Sequence, residues 1–281
     1  MLGVVLAVLL LGGAASASHL KELRVCGDPD NLPFSNEKQE GFENRIAEVI
    51  AKDFGVPLQY FWWPHQRGLV RNTLQADKCD VLIGIPRGYD PVLWTKPYYR
   101  STYVLVYRKD RGLSIKSLDD PALRQLRIGV QRGTPPHDLL AERGILANVV
   151  SYSLFHDPQN HDPESRPTRP IEDVVAGTLD AAIVWGPWAG YFVKSQHAAT
   201  LDVVPLESRG PIPLAFDISM GIKKGEHELK TDLEGALARH QAEIEKILDD
   251  YGVPHLAVSS AGAAPAGPEG PALPNPPKFQ Q

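Results

Sequence analysis

Apolar residues recur at three- and four-residue spacing between Gly41 and Gly55, and this pattern predicts an amphipathic helix. The residues of the apolar face are Phe42, Ile46, Val49, Ile50 and Phe54. The polar residues that fall on the opposite face are Glu43, Arg45, Glu48, Lys52 and Asp53. We predict that this second face is solvated. Gly55 follows the last apolar residue, where a chain commonly needs a positive φ to leave a helix.

Short apolar runs alternate with helical patterns along most of the chain. The segment 23–26 predicts a strand before the first helix, and strands at 58–63, ended by Pro64, and 80–84 flank a second helical pattern at 66–77. The same order restarts with a strand at 126–130, and a long helix is predicted at 226–251. This alternation is typical of an α/β fold with open, mixed sheets that are flanked by helices.

Two similar βα units, with two strands that carry the chain across and back, predict two lobes joined by a hinge with two crossings. We place lobe one at residues 19–106 and 217–256, and lobe two at residues 110–213. From residue 257 to residue 281 the chain is rich in Ala, Pro and Gly, and we predict a disordered tail there.

The chain begins with features of an exported protein. Residues 2–11 are an uninterrupted apolar run, and Ala15-Ser16-Ala17 fits a cleavage site, so we predict a signal peptide at residues 1–17. No Lys or Arg precedes the run, which leaves an uncleaved anchor as the alternative. No other segment is apolar enough to span a membrane. The net charge of -5 offers no basic surface for nucleic acid.

The only two cysteines of the sequence, Cys26 and Cys79, are candidates for a disulfide in an oxidising compartment. The predicted strand register argues against the bond. An offset of about three residues between parallel strands corresponds to about 10 Å. A disulfide tolerates a Cα separation of only ~7 Å. From the sequence the bond stays open, and a pair of buried thiols is the alternative.

Ligands of open α/β sheets bind beyond the carboxyl ends of the strands. The candidate residues at such positions are Asp28, Asn31, Trp63, His65, Arg87, Gly133, Thr134, Trp185 and Trp188. Asp28 and Asn31 offer oxygens to a polar ligand, although the same residues also build turns. At most one of the adjacent Trp62 and Trp63 can line the cleft, because neighbouring strand residues face opposite sides. His65 can bind an anion at a helix start, and Gly133-Thr134 can hold a carboxylate.

One loop concentrates the side chains that bind metals. These are His156, Asp157, His161, Asp162 and Glu164. Their spacing fits no rigid metal site, and we predict a solvated loop. The sequence contains no G-x-S-x-G, no H-E-x-x-H and no cysteine with an adjacent base. We therefore expect no metal, no cofactor and no catalysis.

Five stretches, in this order, resemble the family 3 periplasmic solute-binding proteins. They are GFENRIAEVIAKDFG, QRGLVRNTLQADKCDVLIG, TKPYY, IGVQRGT and DVVAGTLDAAIVWGPWAGYFV, and the resemblance covers roughly residues 22–252. It implies the two-lobed periplasmic binding protein fold of type II. VCGDPDNLPFSN, FWWPHQRGLVRNTL, TKPYYRSTYVLVYR and AIVWGPWAGYF are similar to the J proteins encoded beside PQQ-dependent methanol dehydrogenases, the MoxJ/XoxJ type. This second resemblance implies a periplasmic accessory protein that activates or matures the dehydrogenase.

The resemblance also indicates what the cleft does not bind. In amino-acid-binding members an arginine after the third strand grips the ligand carboxylate, and an aspartate near the end of the DAAIVWG-type strand takes the amine. Here Arg87 is an approximate match to the first position, and Trp185 occupies the second. An unpaired buried ammonium costs several kcal/mol, on the order of a thousandfold in affinity. We therefore expect a ligand other than a standard amino acid.

Three functions follow as hypotheses. In the first, the exposed aromatic residues at the cleft mouth capture a segment of the dehydrogenase or an apolar, cofactor-like group. The second is a transport receptor for a small solute that is not an amino acid, bound in the same cleft. The third is an enzyme on this fold, such as a dehydratase, which needs an acid–base pair in the cleft with Asp28 or His65 as a member.

Overall fold

The computed structural model describes residues 20–154, 165–207 and 210–258. Its strands are β1 (Leu23–Gly27), β2 (Asp30–Asn31), β3 (Ser35–Asn36), β4 (Leu58–Trp62), β5 (Val81–Pro86), β6 (Leu93–Trp94), β7 (Tyr99–Arg108), β8 (Ile128–Gln131), β9 (Val149–Tyr152), β10 (Ala181–Trp185), β11 (Leu201–Pro205), β12 (Ala215–Ile222) and β13 (His255–Leu256). Its helices are α1 (Phe42–Phe54), α2 (Leu69–Asn72), α3 (Pro135–Glu142), α4 (Arg169–Ala176), α5 (Gly186–Phe192), α6 (His227–Arg239) and α7 (Gln241–Asp250). The predicted signal peptide, the loop residues 156–164 and residues 259–281 of the predicted tail lie outside the described residues.

The first group of strands has the order β4-β1-β5-β12. β4 and β5 flank β1 in parallel, and β12 joins β5 in the antiparallel direction. The carboxyl ends of β1, β4 and β5 therefore meet at one edge of this sheet. In the second group β10 pairs in parallel with β8, and β8 pairs in parallel with β9.

β7 belongs to both groups. Its first residues, up to Thr102, pair with β12, whereas from Tyr103 onward it pairs with β10. The Thr102 hydroxyl donates to the carbonyls of Leu206 and Leu214 at 3.2 and 3.0 Å, and so joins the outgoing crossing to the returning one. The strand partner thus changes at Thr102–Tyr103, a few residues before the segment 106–110 in which the sequence places the crossing. The bounds of the lobes stay a prediction.

The core of the first lobe forms under α1. Phe42, Ile46, Ile50 and Phe54 are buried, as the spacing predicts, whereas Val49 is only half-buried. The side chain of Asn44 caps the start of the helix, because its Oδ1 accepts from the Gly41 amide at 3.0 Å. These contacts fix the helix over the sheet and place its first turn at the carboxyl edge of β1.

Cys26 and Cys79 form a disulfide in the structure, with their Cα atoms 5.5 Å apart. The register argument against the bond was wrong because it placed Cys79 on the line of β5. The strand begins only at Val81, two residues later, so Cys79 lies in the approach to the strand. Both cysteines belong to a buried cluster with Leu69, Leu74 and residues of the sheet.

Two helical predictions differ from the structure. Of the predicted helix at 66–77, only Leu69–Asn72 is α-helical. The predicted helix at 226–251 is interrupted at His240, whose φ of -107° and ψ of 16° are not helical. The His240 ring lies 2.9 Å from Asp53 of α1 and 3.0 Å from Glu243, so this break anchors both halves beside α1.

Candidate functional site

Asp28 follows β1 at the carboxyl edge of the first sheet and is fully buried. Its carboxylate accepts from the amides of Asp30 at 3.0 Å and His65 at 2.6 Å. Its own amide and carbonyl both bond to the Ser35 hydroxyl. The structure therefore brings together the predicted residues Asp28 and His65. Asp28 ties the loop after β4 to the loop after β1.

Glu43 is a buried acid at the same edge that the sequence analysis missed. We predicted it on the solvated face of α1, but only 6% of the residue is exposed. Burial raises the pKa of its carboxyl well above the usual value of 4.5, and the charge of Asp28 raises it further. Room for this carboxyl comes from Gly84 of β5, where a Cβ atom would lie 1.9 Å from the Glu43 Oε1. A glycine inside the apolar run of β5 is the signal that could have indicated such a close approach.

Aromatic side chains cover the remainder of this edge. The rings of Trp63 and Phe61 are nearly parallel, with their centroids 6.3 Å apart. The guanidinium carbon of Arg87 lies 5.4 Å from the ring centroid of Trp94, a cation–π arrangement. Arg87 is also held by its backbone, because its amide donates to the Asp217 carbonyl at 2.8 Å.

The buried polar atoms of the predicted site without a hydrogen-bond partner among the described residues include three that follow the strands of the first sheet. They are the acceptor Oδ1 of Asn31 and the donors Nε1 of Trp63 and Nε of Arg87. Leaving such a group unsatisfied costs about 1–3 kcal/mol. A polar group with both a donor and an acceptor, such as a peptide unit, complements atoms of this kind.

Gly133 and Thr134 lie at the carboxyl end of β8, in the second lobe. Gly133 has a φ of 71° and is exposed, and Thr134 is buried just before α3. The Thr134 hydroxyl donates to the Gln131 carbonyl at 2.7 Å, so this hydroxyl stabilises the turn. Gly133 and Thr134 are therefore placed at the predicted edge, with the Thr134 donor already engaged.

Trp185 ends β10 and lies inside the hinge rather than at the cleft mouth. Only 7% of it is exposed, and its ring packs against Tyr103 at 5.3 Å and Phe216 at 5.9 Å. This corrects the expectation of an exposed tryptophan at this position. The reason is the change of strand partner at Tyr103, which brings β10 beside the start of β12. Burial also raises the pKa of the Tyr103 hydroxyl.

An ion pair joins β7 and β12 near the hinge. Arg100 of β7 and Asp217 of β12 approach to 2.8 Å, and both side chains are largely buried. Arg100 also donates to the Ala215 carbonyl at 3.3 Å. The carboxylate of Asp217 is thus engaged by a neighbouring strand.

Trp188, in the first turns of α5, makes a contact between the lobes. Its ring lies edge-on to Phe34, which follows β2, with centroids 5.9 Å apart. A groove of about 480 Å³ opens beside this contact. The residues that line it are Leu32, Pro33, Arg166, Thr168, Glu172, Trp188, Tyr191, Phe192, Gln196 and His197.

The described part of the chain contains no group of three or more His, Cys, Asp or Glu side chains that could hold a metal ion. The histidine-bearing loop at 156–164 lies outside it. Likewise, none of the helices within residues 20–154, 165–207 and 210–258 is long and apolar enough to cross a membrane.

Comparison with known proteins agrees with this architecture. The sequence pattern of the bacterial extracellular solute-binding proteins, family 3, matches residues 23–254. Protein MoxJ of Methylorubrum extorquens is 34% identical over 249 residues, which cover 85% of this chain and 83% of that protein. Protein MoxJ of Paracoccus denitrificans is 33% identical over 248 residues, covering 84% and 90%. The crystal structure of periplasmic binding protein XoxJ from Methylobacterium extorquens AM1 has 41% identity and a TM-score of 0.69, covering 84% of this chain and 99% of that one. The predicted two-lobed α/β fold is thereby confirmed.

Proposed function

We propose that this chain, which belongs to the bacterial extracellular solute-binding proteins of family 3, is a periplasmic accessory protein of a PQQ-dependent methanol or alcohol dehydrogenase. Its interlobe cleft holds a segment of the dehydrogenase while that enzyme is activated or matured. The similarity to the MoxJ proteins and to XoxJ, which the sequence motifs already indicated, supports this function. The role is one of binding, without turnover of a substrate.

The observation that carries the proposal is the absence of an acid for a ligand ammonium group among the described residues around the hinge. Trp185 stands at the position of that acid and is packed against Tyr103 and Phe216. Asp217, the neighbouring acid, is paired with Arg100 at 2.8 Å. Because a buried ammonium without a counter-charge is strongly disfavoured, an amino acid does not fit this cleft.

The acids of the first lobe do not replace the missing group. The Asp28 carboxylate accepts from two backbone amides, and burial favours the protonated form of Glu43. What the cleft offers instead is aromatic surface together with the unpartnered atoms of Asn31, Trp63 and Arg87. A peptide segment with an apolar side chain supplies partners for both kinds of group.

Retention of the dehydrogenase on the immobilised protein tests this function. Periplasmic extract of the source organism is passed over the wild type, the cleft variant Arg87→Gln and the control variant Leu146→Ser. Leu146 is 47% exposed and precedes the amino end of β9, whereas Arg87 follows the carboxyl end of β5. We expect the wild type and the control to retain the dehydrogenase equally, and Arg87→Gln to retain at least tenfold less at an unchanged Tm.

A deletion strain provides the second measurement. Without the gene, methanol-dependent dye reduction should fall strongly, and the wild-type and Leu146→Ser genes should restore it. The proposal fails if no dehydrogenase is retained and the deletion strain oxidises methanol at the normal rate.

A transport receptor for a small solute that is not an amino acid is the alternative. The buried Nε of Arg87, which lacks an acceptor among the described residues, favours it, because a solute oxygen could bind there. A ligand at 100 times its Kd adds about 2.7 kcal/mol of stability, which a thermal-shift screen detects. Saturable stabilisation by one small solute, lost in Arg87→Gln, would favour this function over the accessory role.

A further inference from the structure

β4 is an outer strand of the first sheet, and one of its two edges is free. Within the described residues it pairs only with β1, in parallel and without a bulge. The Trp63 amide donates to the Gly27 carbonyl at 2.9 Å. Because alternate residues of a strand bond to the same neighbour, Gln59 and Phe61 share this direction and also bond to β1. The positions between them point the opposite way, away from the sheet.

The backbone groups on the free edge are those of Leu58, Tyr60 and Trp62. Among the described residues, none of their amides or carbonyls takes part in a hydrogen bond. The series is limited at both ends. Val56 already donates its amide to the Ala51 carbonyl at 3.1 Å, and Pro64 has no N–H. The free edge is therefore a short ladder of donors and acceptors that is centred on Tyr60.

The sequence of this edge does not keep another strand away. Free edges of natural sheets commonly carry a Lys, an inward-pointing charge, a Pro or a bulge, and these devices block the addition of a strand. The stretch LQYFWW at 58–63 contains no charged residue and no proline. Tyr60 and Trp62 are both half-buried and stack on one another with ring centroids 4.5 Å apart. An uncharged, aromatic edge of this kind is suited to pairing with a further strand.

The ladder is complementary to itself. A twofold axis brings two identical strands together in the antiparallel direction. With the axis at Tyr60, each Tyr60 lies opposite its own copy, and Leu58 lies opposite Trp62 of the second copy. These are all hydrogen-bonded positions of an antiparallel pair, so every free amide and carbonyl of the edge finds a partner. The same register sets Val56 opposite Pro64, the two positions that have no amide to offer.

The charges beside this axis favour the same partner. Burial raises the pKa of the Tyr60 hydroxyl to about 12, and the charges of Glu48 and Arg45 act on the same hydroxyl with opposite signs, so both lie near the centre of the ladder. Their side chains are 44% and 52% exposed. An exposed acid and an exposed base beside a twofold axis let Arg45 of one copy face Glu48 of the other. The patch is therefore complementary in charge to a second copy of itself.

We propose that two copies of this chain associate through β4, with the twofold axis at Tyr60, so that the first sheets of the two copies continue as one sheet. Tyr60 then meets its own copy, and aromatic pairs across strands stabilise antiparallel sheets. This interface goes beyond the function proposed above, because it needs neither the interlobe cleft nor a dehydrogenase.

Gln59 provides the first test, because its side chain is exposed and lies on the face opposite to Tyr60. Analytical ultracentrifugation of the protein purified from periplasm, from about 20 µM to about 500 µM, measures the dimer Kd. We expect Gln59→Lys to raise this Kd at least tenfold, because it adds two like charges on either side of the axis. The control Gln59→Thr keeps a neutral residue of high strand propensity and should leave the Kd within about twofold.

Reversal of the charges beside the axis provides the second test. Arg45→Glu places acids on both sides of the axis, and we expect the dimer Kd to rise at least threefold at low ionic strength. The double variant Arg45→Glu/Glu48→Arg exchanges the two charges and should restore the wild-type Kd. All four variants should keep the circular dichroism spectrum of the wild type, since both side chains and that of Gln59 are at the surface.

Hydrogen exchange read by NMR identifies the surface that pairs. The amides of Leu58, Tyr60 and Trp62 should be protected at about 500 µM and should exchange rapidly at about 20 µM. The amides of Gln59 and Phe61, which bond to β1, should be protected at both concentrations.

Three results overturn the proposal. The first is a protein that sediments as a monomer up to about 500 µM. The second is a dimer whose Kd is unchanged in Gln59→Lys, because a different surface then holds it. The third is protection of the Leu58, Tyr60 and Trp62 amides that arises only after the dehydrogenase is added, because the edge then takes a strand of that partner.

Discussion

Glu43 is a carboxyl group that the fold removes from water beside a second carboxyl group. Burial and the charge of Asp28 both raise its pKa, and burial likewise raises the pKa values of the nearby Tyr98 and Tyr99 hydroxyls. These groups lie where α1 begins over the carboxyl edge of the first sheet. Ionisation of Glu43 therefore acts against folding at the edge that holds the candidate site.

The pH dependence of stability tests this residue through Glu43→Gln. A raised pKa means that the folded protein binds the Glu43 proton more tightly than the unfolded chain does. The stability contributed by this proton is complete below the unfolded value of 4.5 and is lost as pH rises toward the folded pKa. We expect the wild type and Glu43→Gln to have similar Tm values near pH 4. The glutamine variant should become the more stable of the two as pH rises.

Glu48→Gln is the matched control, because Glu48 is an exposed acid on the same helix. Its Tm should follow that of the wild type across the whole pH range, apart from a small constant difference. Parallel curves for wild type and Glu43→Gln would contradict the assignment of a raised pKa to Glu43.

At the scale of the element, β5 depends on one glycine. Gly84 has a φ of 80°, and a Cβ atom there would meet the Glu43 carboxylate. Gly177, which ends α4, has a nearly equal φ of 76° but nothing within 4 Å. An alanine at Gly177 therefore introduces backbone strain alone, whereas an alanine at Gly84 introduces the same strain together with a steric conflict with Glu43.

We expect Gly177→Ala to lower the free energy of unfolding by about 1–2 kcal/mol, which is the strain of a left-handed alanine. Gly84→Ala should cost a further 1–3 kcal/mol or so, because the buried Glu43 side chain must move. Urea denaturation followed by circular dichroism measures both. Equal losses of unfolding free energy in the two variants would mean that the Glu43 side chain moves aside without an energetic cost.

The elements that follow from local pattern were predictable, and those that depend on closure of the fold were not. The spacing of Phe42, Ile46 and Ile50 suffices for α1, and Gly55 ends it with a φ of 70°. Nothing local in the sequence marks His240, where the predicted long helix breaks so that the imidazole contacts Asp53. The disulfide was misjudged for the same reason, since the path of the chain before β5 is a tertiary property.

The candidate site shows the same division. Strand ends correctly indicate which residues lie at the sheet edges, and Asp28 and His65 are bonded there. The environment of Trp185 could not be derived, because it depends on the change of partner along β7 that brings Phe216 beside it. The burial of Glu43 was missed because the spacing of apolar residues places Glu43 on the polar face of α1. That spacing does not reveal that β5 covers the first turn of the helix at Gly84.

At the scale of the whole molecule, α5 and the segment after α7 join the second lobe to the first. Gly186 and Gly190 allow this contact, because Cβ atoms there would lie 2.5 Å from the Thr102 carbonyl oxygen and 1.8 Å from the Gly252 carbonyl oxygen. The Ser101 hydroxyl adds a bond of 2.6 Å to the Pro254 carbonyl. The two lobes therefore share packed backbone next to the hinge, and we infer that they unfold together.

Gly190→Ala tests this coupling. The added methyl group meets backbone atoms that cannot rotate aside, so we expect a loss of about 2–3 kcal/mol and an unfolding curve that separates into two transitions. Gly235→Ala, in the middle of α6, is the control, because its nearest neighbour is the flexible end of Arg239 at 3.1 Å. Tryptophan fluorescence and circular dichroism should coincide for wild type and control. If the fluorescence and circular dichroism curves also coincide for Gly190→Ala, the contact between α5 and Gly252 is not what makes the two lobes unfold together.

The covalent link between Cys26 and Cys79 makes the stability of the protein depend on the redox state of its surroundings. A bridge across 53 residues restricts the unfolded chain by about 4 kcal/mol in the loop-entropy estimate. Freshly synthesised polypeptide in a reducing cytosol lacks this restriction, since thiols stay reduced there. The reduced chain is therefore the easier of the two forms to unfold. Formation of the bond in an oxidising compartment then stabilises the native state against unfolding.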